Sequence, residues 1–149
     1  MSRKPETSAF LTAFHGTFKG LLQWDDLDRF WAVVQAQAGA GWHIYAVGET
    51  PPKTPATADA VKNFIHEINM LLRRDHHEDI CGIVYADSLT DPTLIKIYDP
   101  HNLGVACGYS DHPPLPGWVM SVLLPSSLQG QNTPPQARRR WWQRLWATH

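Results

Sequence analysis

Residues 55–74 constrain the fold of this 149-residue chain more than any other segment. Their apolar side chains recur every three or four residues, which is the period of a helix packed along one side. Thr54 ahead of Pro55 is expected to cap its start, and Arg73 and Arg74 follow in the last turn, where positive charge favours the helix dipole. The stripe consists of Val61, Phe64, Ile65, Ile68, Leu71 and Leu72. Such a stripe needs a broad apolar surface opposite it.

Three short segments after this helix are predicted to supply that surface as strands. Residues 80–86, 93–98 and 118–124 are rich in β-branched or aromatic residues and are bounded by Asp, Pro or Gly. The first segment is apolar on both faces, which predicts a central position in the sheet. The connection 87–92 has the length of a hairpin loop, so the first two strands are expected to be antiparallel neighbours.

Two more helices and a strand are predicted ahead of the long helix. The first helix is expected to start at a Thr7 or Ser8 cap, the second at Asp25 and Asp26, and the strand covers residues 43–47. The apolar stripe of the first helix is Phe10, Leu11, Phe14, Phe18 and Leu21, and that of the second is Leu27, Phe30, Trp31 and Val34. The order ααβαβββ assigns the chain to the α+β class with a mainly antiparallel sheet, and it argues against a doubly wound nucleotide-binding fold.

Composition and charge favour one soluble domain. With 43% hydrophobic residues and a net charge of −1, the main body is not expected to bind nucleic acid, because phosphates are neutralised by a basic face. The longest apolar run, residues 80–86, is too short to span a bilayer, and no signal-type stretch follows the first residues. A cytoplasmic protein without a transmembrane segment is therefore expected, with Cys81 and Cys107 as free thiols.

The composition changes after residue 125. Residues 1–125 are interpreted as the α+β domain and residues 126–137 as a flexible linker, because the latter are rich in Ser, Gln and Pro. Residues 138–149 form a basic, tryptophan-rich tail, whose predicted partner-binding residues are Arg139, Arg140, Trp141, Trp142 and Trp146. On a helix, Trp142, Leu145 and Trp146 would share one face. Such a tail is expected to contact a partner, a membrane surface or nucleic acid, or else to fold back on its own domain or stay disordered.

Residues 99–117 show neither helical nor strand periodicity over nineteen residues, and loops of this length are uncommon in compact domains unless they are functional. Among its turn-forming glycines and prolines are titratable or metal-binding residues, namely Asp99, His101, Cys107, Asp111 and His112. One interpretation is a zinc site shared with the end of the long helix, since zinc takes imidazole nitrogen and thiolate sulfur. Its candidate ligands are His76, His77, His101, Cys107 and His112. Adjacent histidines also often cap a helix end or lie in solvent.

A second interpretation makes Cys107 a catalytic nucleophile with a nearby histidine as its base. A thiolate needs a positive or hydrogen-bonding neighbour to form near neutral pH. Cys81 is the weaker candidate, because it lies in a segment that is expected to be buried. No catalytic signature surrounds either cysteine, and the common phosphate-loop, hydrolase and paired-cysteine motifs do not occur in the sequence.

The leading hypothesis is therefore a non-catalytic binding or accessory domain of a bacterial-type cytoplasmic complex. It would act through protein–protein contacts made by the 99–117 loop and the C-terminal tail. The alternative is a small enzyme or sensor with a Cys/His site in that loop, for which zinc is the one cofactor considered. A protein partner is expected, and homo-oligomerisation is left open.

Overall fold

A computed structural model of the chain describes residues 8–79, 81–101, 115–128 and 135–147. Its elements follow one another as α1 (Ala9–Phe14), β1 (Lys19–Gly20), α2 (Trp24–Ala36), β2 (His43–Ala46), α3 (Ala58–Asp75), β3 (Val84–Ala86), β4 (Leu94–Ile97), β5 (Trp118–Ser121) and α4 (Gln136–Trp146). The α+β class is confirmed. The order differs from the predicted one by the two-residue strand β1 and by the helix α4.

The five strands form one antiparallel sheet in the order β1-β3-β4-β5-β2. β3, β4 and β5 are a meander, so the predicted hairpin between the first two of them is confirmed. In this register Ile95 of β4 lies between Ala86 of β3 and Met120 of β5. β4 is the middle strand, and β3 has a neighbour on each side.

The two faces of the sheet carry different helices. Ile95 and Ile97 belong to a large core cluster that includes the buried residues of α2 and α3 together with Leu145 of α4. Leu94, which precedes Ile95 in β4, points to the opposite face and packs with Phe10 and Phe14 of α1. This alternation is the period of two residues expected for a strand that is buried on both faces.

α3 has the predicted apolar stripe, and all six of its residues are buried. Its start was predicted wrongly. The helix is capped by Thr57, whose side chain accepts a 3.1 Å hydrogen bond from the backbone N–H of Ala60. The backbone N–H of Ala56 donates to the carbonyl of Trp42 at 2.8 Å, which ties the residue just before the cap to the chain that leads into β2.

α1 is shorter than predicted, because it ends at Phe14 and the chain turns at Gly16. Phe18 and Leu21 therefore do not lie on its stripe. Leu21 is buried instead through a strand-like path, in which its backbone N–H donates to the carbonyl of Val84 at 2.9 Å.

The strand predicted for residues 80–86 is also shorter, since its ladder covers only Val84–Ala86. The backbone N–H of Cys81 bonds to the carbonyl of Leu22 at 2.6 Å. The start of this segment therefore lies beside the residues that lead into α2. Ile80 lies outside the described residues.

The structure describes part of the segment predicted as a flexible linker and tail after residue 125. Ser126 donates a 2.8 Å hydrogen bond to Ser8, and the backbone N–H of the buried Leu128 donates to the Tyr45 hydroxyl at 3.0 Å. Residues 136–146 form α4, whose Leu145 is buried in the main core. The apolar face of this helix thus packs on the chain's own domain. No helix in the described ranges is long and apolar enough to cross a membrane.

Candidate functional site

α4 is attached to the domain by a buried arginine. Arg138 donates two parallel hydrogen bonds to Asp99, from Nε at 2.9 Å and from Nη2 at 3.0 Å, and Nη2 also donates to Asp75 at 2.7 Å. The side chains of Arg138 and Asp99 are 12% and 5% exposed. Asp75 ends α3 and Asp99 follows β4, so one guanidinium joins three elements. We call these three residues the Arg138 clamp.

The charges in the Arg138 clamp stabilise one another. Burial alone lowers the pKa of Arg138, but the hydrogen bonds and negative charges of Asp99 and Asp75 outweigh it and raise this pKa. The hydrogen bond from Arg74, opposed by burial and reinforced by Arg138, lowers the pKa of Asp75 to about 2. Asp75 and Arg138 are therefore ionised at neutral pH.

A small pocket of about 50 Å³ lies beside the Arg138 clamp. Its walls include Asp99, Arg138, Arg139 and Trp142, together with the residues that follow β2 and precede β5. A water molecule needs about 10–15 Å³ measured in this way, whereas sites for drug-sized ligands measure about 300–1,000 Å³. The pocket therefore has room for a few waters and not for an organic substrate.

The described ends of the 99–117 loop meet next to this pocket. The backbone N–H of Gly117 donates to the carbonyl of Ile97 at 2.9 Å. A Cβ at Gly117 would lie 3.1 Å from the Cβ of Asp99, so a larger residue would push the two ends apart. The backbone N–H of His101 donates to Asp99 at 2.9 Å. The residues between them, 102–114, fall outside the described part.

The tryptophans predicted to bind a partner make contacts with the domain. Trp141 and Trp142 lie against Phe64 of α3, at ring-centroid distances of 6.4 and 6.3 Å. Trp142 also makes a T-shaped contact with Trp146 at 5.2 Å. All three indoles are half-buried. The prediction that Trp142, Leu145 and Trp146 share one face agrees with this inward packing.

The remaining arginines of α4 point outward. Arg139, Arg140 and Arg144 are exposed, and no carboxylate of the described residues lies within ion-pair distance of them. Arg140 and Arg144 are one helical turn apart. We call these three residues the arginine face. Arg139 and Arg140 were predicted as contact residues, and the structure places both at the surface.

The histidines proposed as zinc ligands are only partly described. His76 Nε2 lies 2.9 Å from the carbonyl oxygen of Cys81, and its ring packs on Trp24, while His77 is exposed. In the described ranges, no three His, Cys, Asp or Glu side chains are grouped closely enough to hold a metal ion. Cys107, Asp111 and His112 lie outside those ranges, so the zinc site and the Cys107 nucleophile stay predictions.

Cys81 is poorly suited to nucleophilic chemistry. It is a buried free thiol packed in the main core. Burial raises its pKa, against weaker opposing effects of backbone hydrogen bonds and Arg73. A thiol in such a setting is protonated at neutral pH and behaves as a small apolar residue.

Sequence reasoning missed an unusual lysine on the sheet. Lys96 of β4 lies between two aromatic rings, with Nζ 4.1 Å from the ring centroid of Phe14 and 4.0 Å from that of Phe18. Desolvation lowers the pKa of Lys96, while the cation–π contacts favour its charged form. The alternation of side chains along β4 places Lys96 on the same face as Leu94. That this face is covered by α1 is visible only in the folded structure.

The features that could support a function thus lie on and around α4. The Arg138 clamp orients this helix, the adjacent pocket is too small for an organic substrate, and the arginine face is directed to the surface. No protein-family model, curated protein or solved structure matches the chain.

Proposed function

We propose that this chain is a non-catalytic cytoplasmic binding domain that recognises an acidic surface of a partner protein through its arginine face. One observation carries this proposal. Arg139, Arg140 and Arg144 lie together on a helix that is anchored to the domain, and they have no carboxylate partner in the described residues. Arg140 and Arg144 are one helical turn apart, so their like charges repel one another. A negatively charged partner relieves that repulsion.

The anchoring of α4 makes its arginines suitable for recognition. Arg138 and the inward indoles hold the helix on α3 and on the sheet. A partner would therefore meet a preformed helix and would not have to order a disordered tail, which reduces the entropic cost of association. Arginine is enriched at protein interfaces, because its planar guanidinium binds carboxylates in pairs of hydrogen bonds.

A protein partner agrees better with this surface than a membrane or a nucleic acid does. An interfacial membrane helix inserts its aromatic residues into the lipid, but the indoles of α4 are packed against Phe64 and Trp118. Binding to a phosphate backbone uses a broad basic face, whereas the chain as a whole has a net charge of −1. The arginine face itself occupies only one short helix.

Charge reversal is a sharper test than removal of the helix. Deleting residues 138–149 would remove Arg138 and Leu145, leaving Asp99 without its counter-ion and the core uncovered. The double variant Arg139→Glu/Arg140→Glu changes only exposed side chains. Full-length wild-type protein and this variant would each be used to capture proteins from an extract of the source cells, with quantification by mass spectrometry.

The expected result is an identified acidic protein whose recovery falls more than about fivefold with the double variant, as expected when attractive charges become repulsive. Its capture should also decrease as the salt concentration rises. The matched control Lys53→Glu/Lys62→Glu makes the same charge change at two other exposed positions and should retain the partner. Equal recovery by both variants would refute a role for the arginine face.

A further inference from the structure

A groove runs between α3 and α4 on the outer side of the domain. Its volume is about 550 Å³, and its lining includes Leu71, Trp141 and Leu145. Met70 lies at its edge with 55% of its surface exposed, although it is a large apolar residue. A flexible thioether at the rim of a partly apolar groove is typical of a contact surface.

The charged residues of this groove are Glu67 and Arg74 of α3 and Arg144 of α4. On α3, Glu67 precedes Met70 by three residues and Arg74 follows it by four, so all three lie along one side of the helix. When two copies of a helix pack antiparallel about a two-fold axis, the residue before the centre of one copy faces the residue after the centre of the other. The α3 stripe is therefore complementary to itself in charge.

We propose that a second copy of this chain docks in the groove across a two-fold axis near Met70. Met70 of each copy packs against Met70 of the other across the axis, and Glu67 of each copy pairs with Arg74 of the other. Each ion pair then occurs twice. Arg74 already uses Nε and Nη2 to bind Asp75, which leaves further N–H groups of its guanidinium for Glu67 of the second copy.

A second copy explains the groove better than an acidic partner does. Glu67 would repel an acidic segment, whereas a two-fold contact supplies an arginine opposite each Glu67. Arg144 of the arginine face also lines the groove, so the two proposals are tested with residues outside this overlap, and here these are Glu67, Met70 and Arg74. Arg139 and Arg140, which carry the capture test, do not line the groove.

Sedimentation velocity of the full chain from about 1 to about 200 µM tests the proposal, since dimer formation depends on concentration. Wild-type protein should shift from monomer toward dimer across this range. Glu67→Arg and Arg74→Glu should each be monomeric at the highest concentration, because every ion pair becomes a repulsion between like charges. An equimolar mixture of the two variants should form a mixed dimer, since both pairs then have opposite charges.

The apolar centre has its own variant and control. Met70→Glu should raise the dimer dissociation constant by more than about tenfold, which corresponds to about 1.4 kcal/mol. Leu124→Glu changes a side chain that is 59% exposed on another part of the domain and should leave the dimer intact. Circular dichroism would establish that each variant is folded.

Three outcomes would overturn the proposal: a wild-type chain that stays monomeric at the highest concentration, a dimer that survives Met70→Glu, or folded charge variants that do not associate on mixing. If the wild-type protein is monomeric, the groove is left for a different occupant. The capture test of the arginine face would be unaffected.

Discussion

Arg138 is the residue whose replacement should disturb the fold most among the arginines of α4. Arg138→Leu would leave the carboxylate of Asp99 buried without a counter-ion, which should lower the free energy of unfolding by about 2–4 kcal/mol. Arg139→Leu alters the adjacent exposed residue and should change the free energy of unfolding by less than about 0.5 kcal/mol. Urea denaturation of both variants measures the difference, and similar losses would show that the Arg138 clamp does not stabilise the fold.

The sequence could suggest individual residues of this site but not how they pair. Asp99 was predicted as a site residue because it opens the 99–117 loop, whereas Arg138 looked like one of several tail cations. The ion pair joins residues 39 positions apart, and no local spacing encodes such a contact. Periodicity finds neighbours on one element, but partners on different elements depend on the tertiary fold.

α3 offers a direct comparison of a predicted helix cap with the observed one. Thr57→Ala removes the side-chain oxygen that accepts the Ala60 N–H and should lower the free energy of unfolding by about 1 kcal/mol. Thr54→Ala replaces the threonine that the sequence favoured and should have almost no effect, because the helix begins after it. Thermal denaturation followed by circular dichroism measures both, and a larger loss for Thr54→Ala would contradict the observed boundary.

Elements with strong periodicity were predicted better than their ends were. The stripe of α3 could be read from the sequence because six apolar residues repeat at helical spacing and all of them are buried. The strand ladders are shorter than the apolar segments that contain them, since apolar residues outside a ladder also pack into the core. For α4, the sequence left open whether the segment contacts a partner, folds back on the domain or stays disordered, although its indoles were correctly placed on one face.

The stability of the whole domain should depend on the ionisation of Asp75. Its pKa is about 2 in the folded protein, below the ordinary aspartate value of 3.8. The unfolded chain therefore takes up this proton at higher pH than the folded protein does, and the stabilisation is complete above about pH 4 and is lost as the pH falls toward about 2. The stability difference between wild type and Asp75→Asn should shrink over this interval.

Urea unfolding of both proteins at about pH 5 and about pH 3 measures that difference. Arg74→Gln provides a second variant, because it removes the hydrogen bond that contributes most to the low pKa of Asp75. Its own acid sensitivity should be weaker than that of the wild type. A wild-type advantage over Asp75→Asn that is the same at both pH values would contradict this account.

The position of Arg138 in the chain also has a consequence for biosynthesis. Asp75 and Asp99 are translated long before residue 138, and Phe64 is translated before the indoles that cover it. A ribosome-bound chain that has exposed only residues up to β5 thus carries carboxylates without their cation and an uncovered aromatic patch. These native contacts form only after α4 has left the exit tunnel, so the nascent chain is prone to aggregation until then.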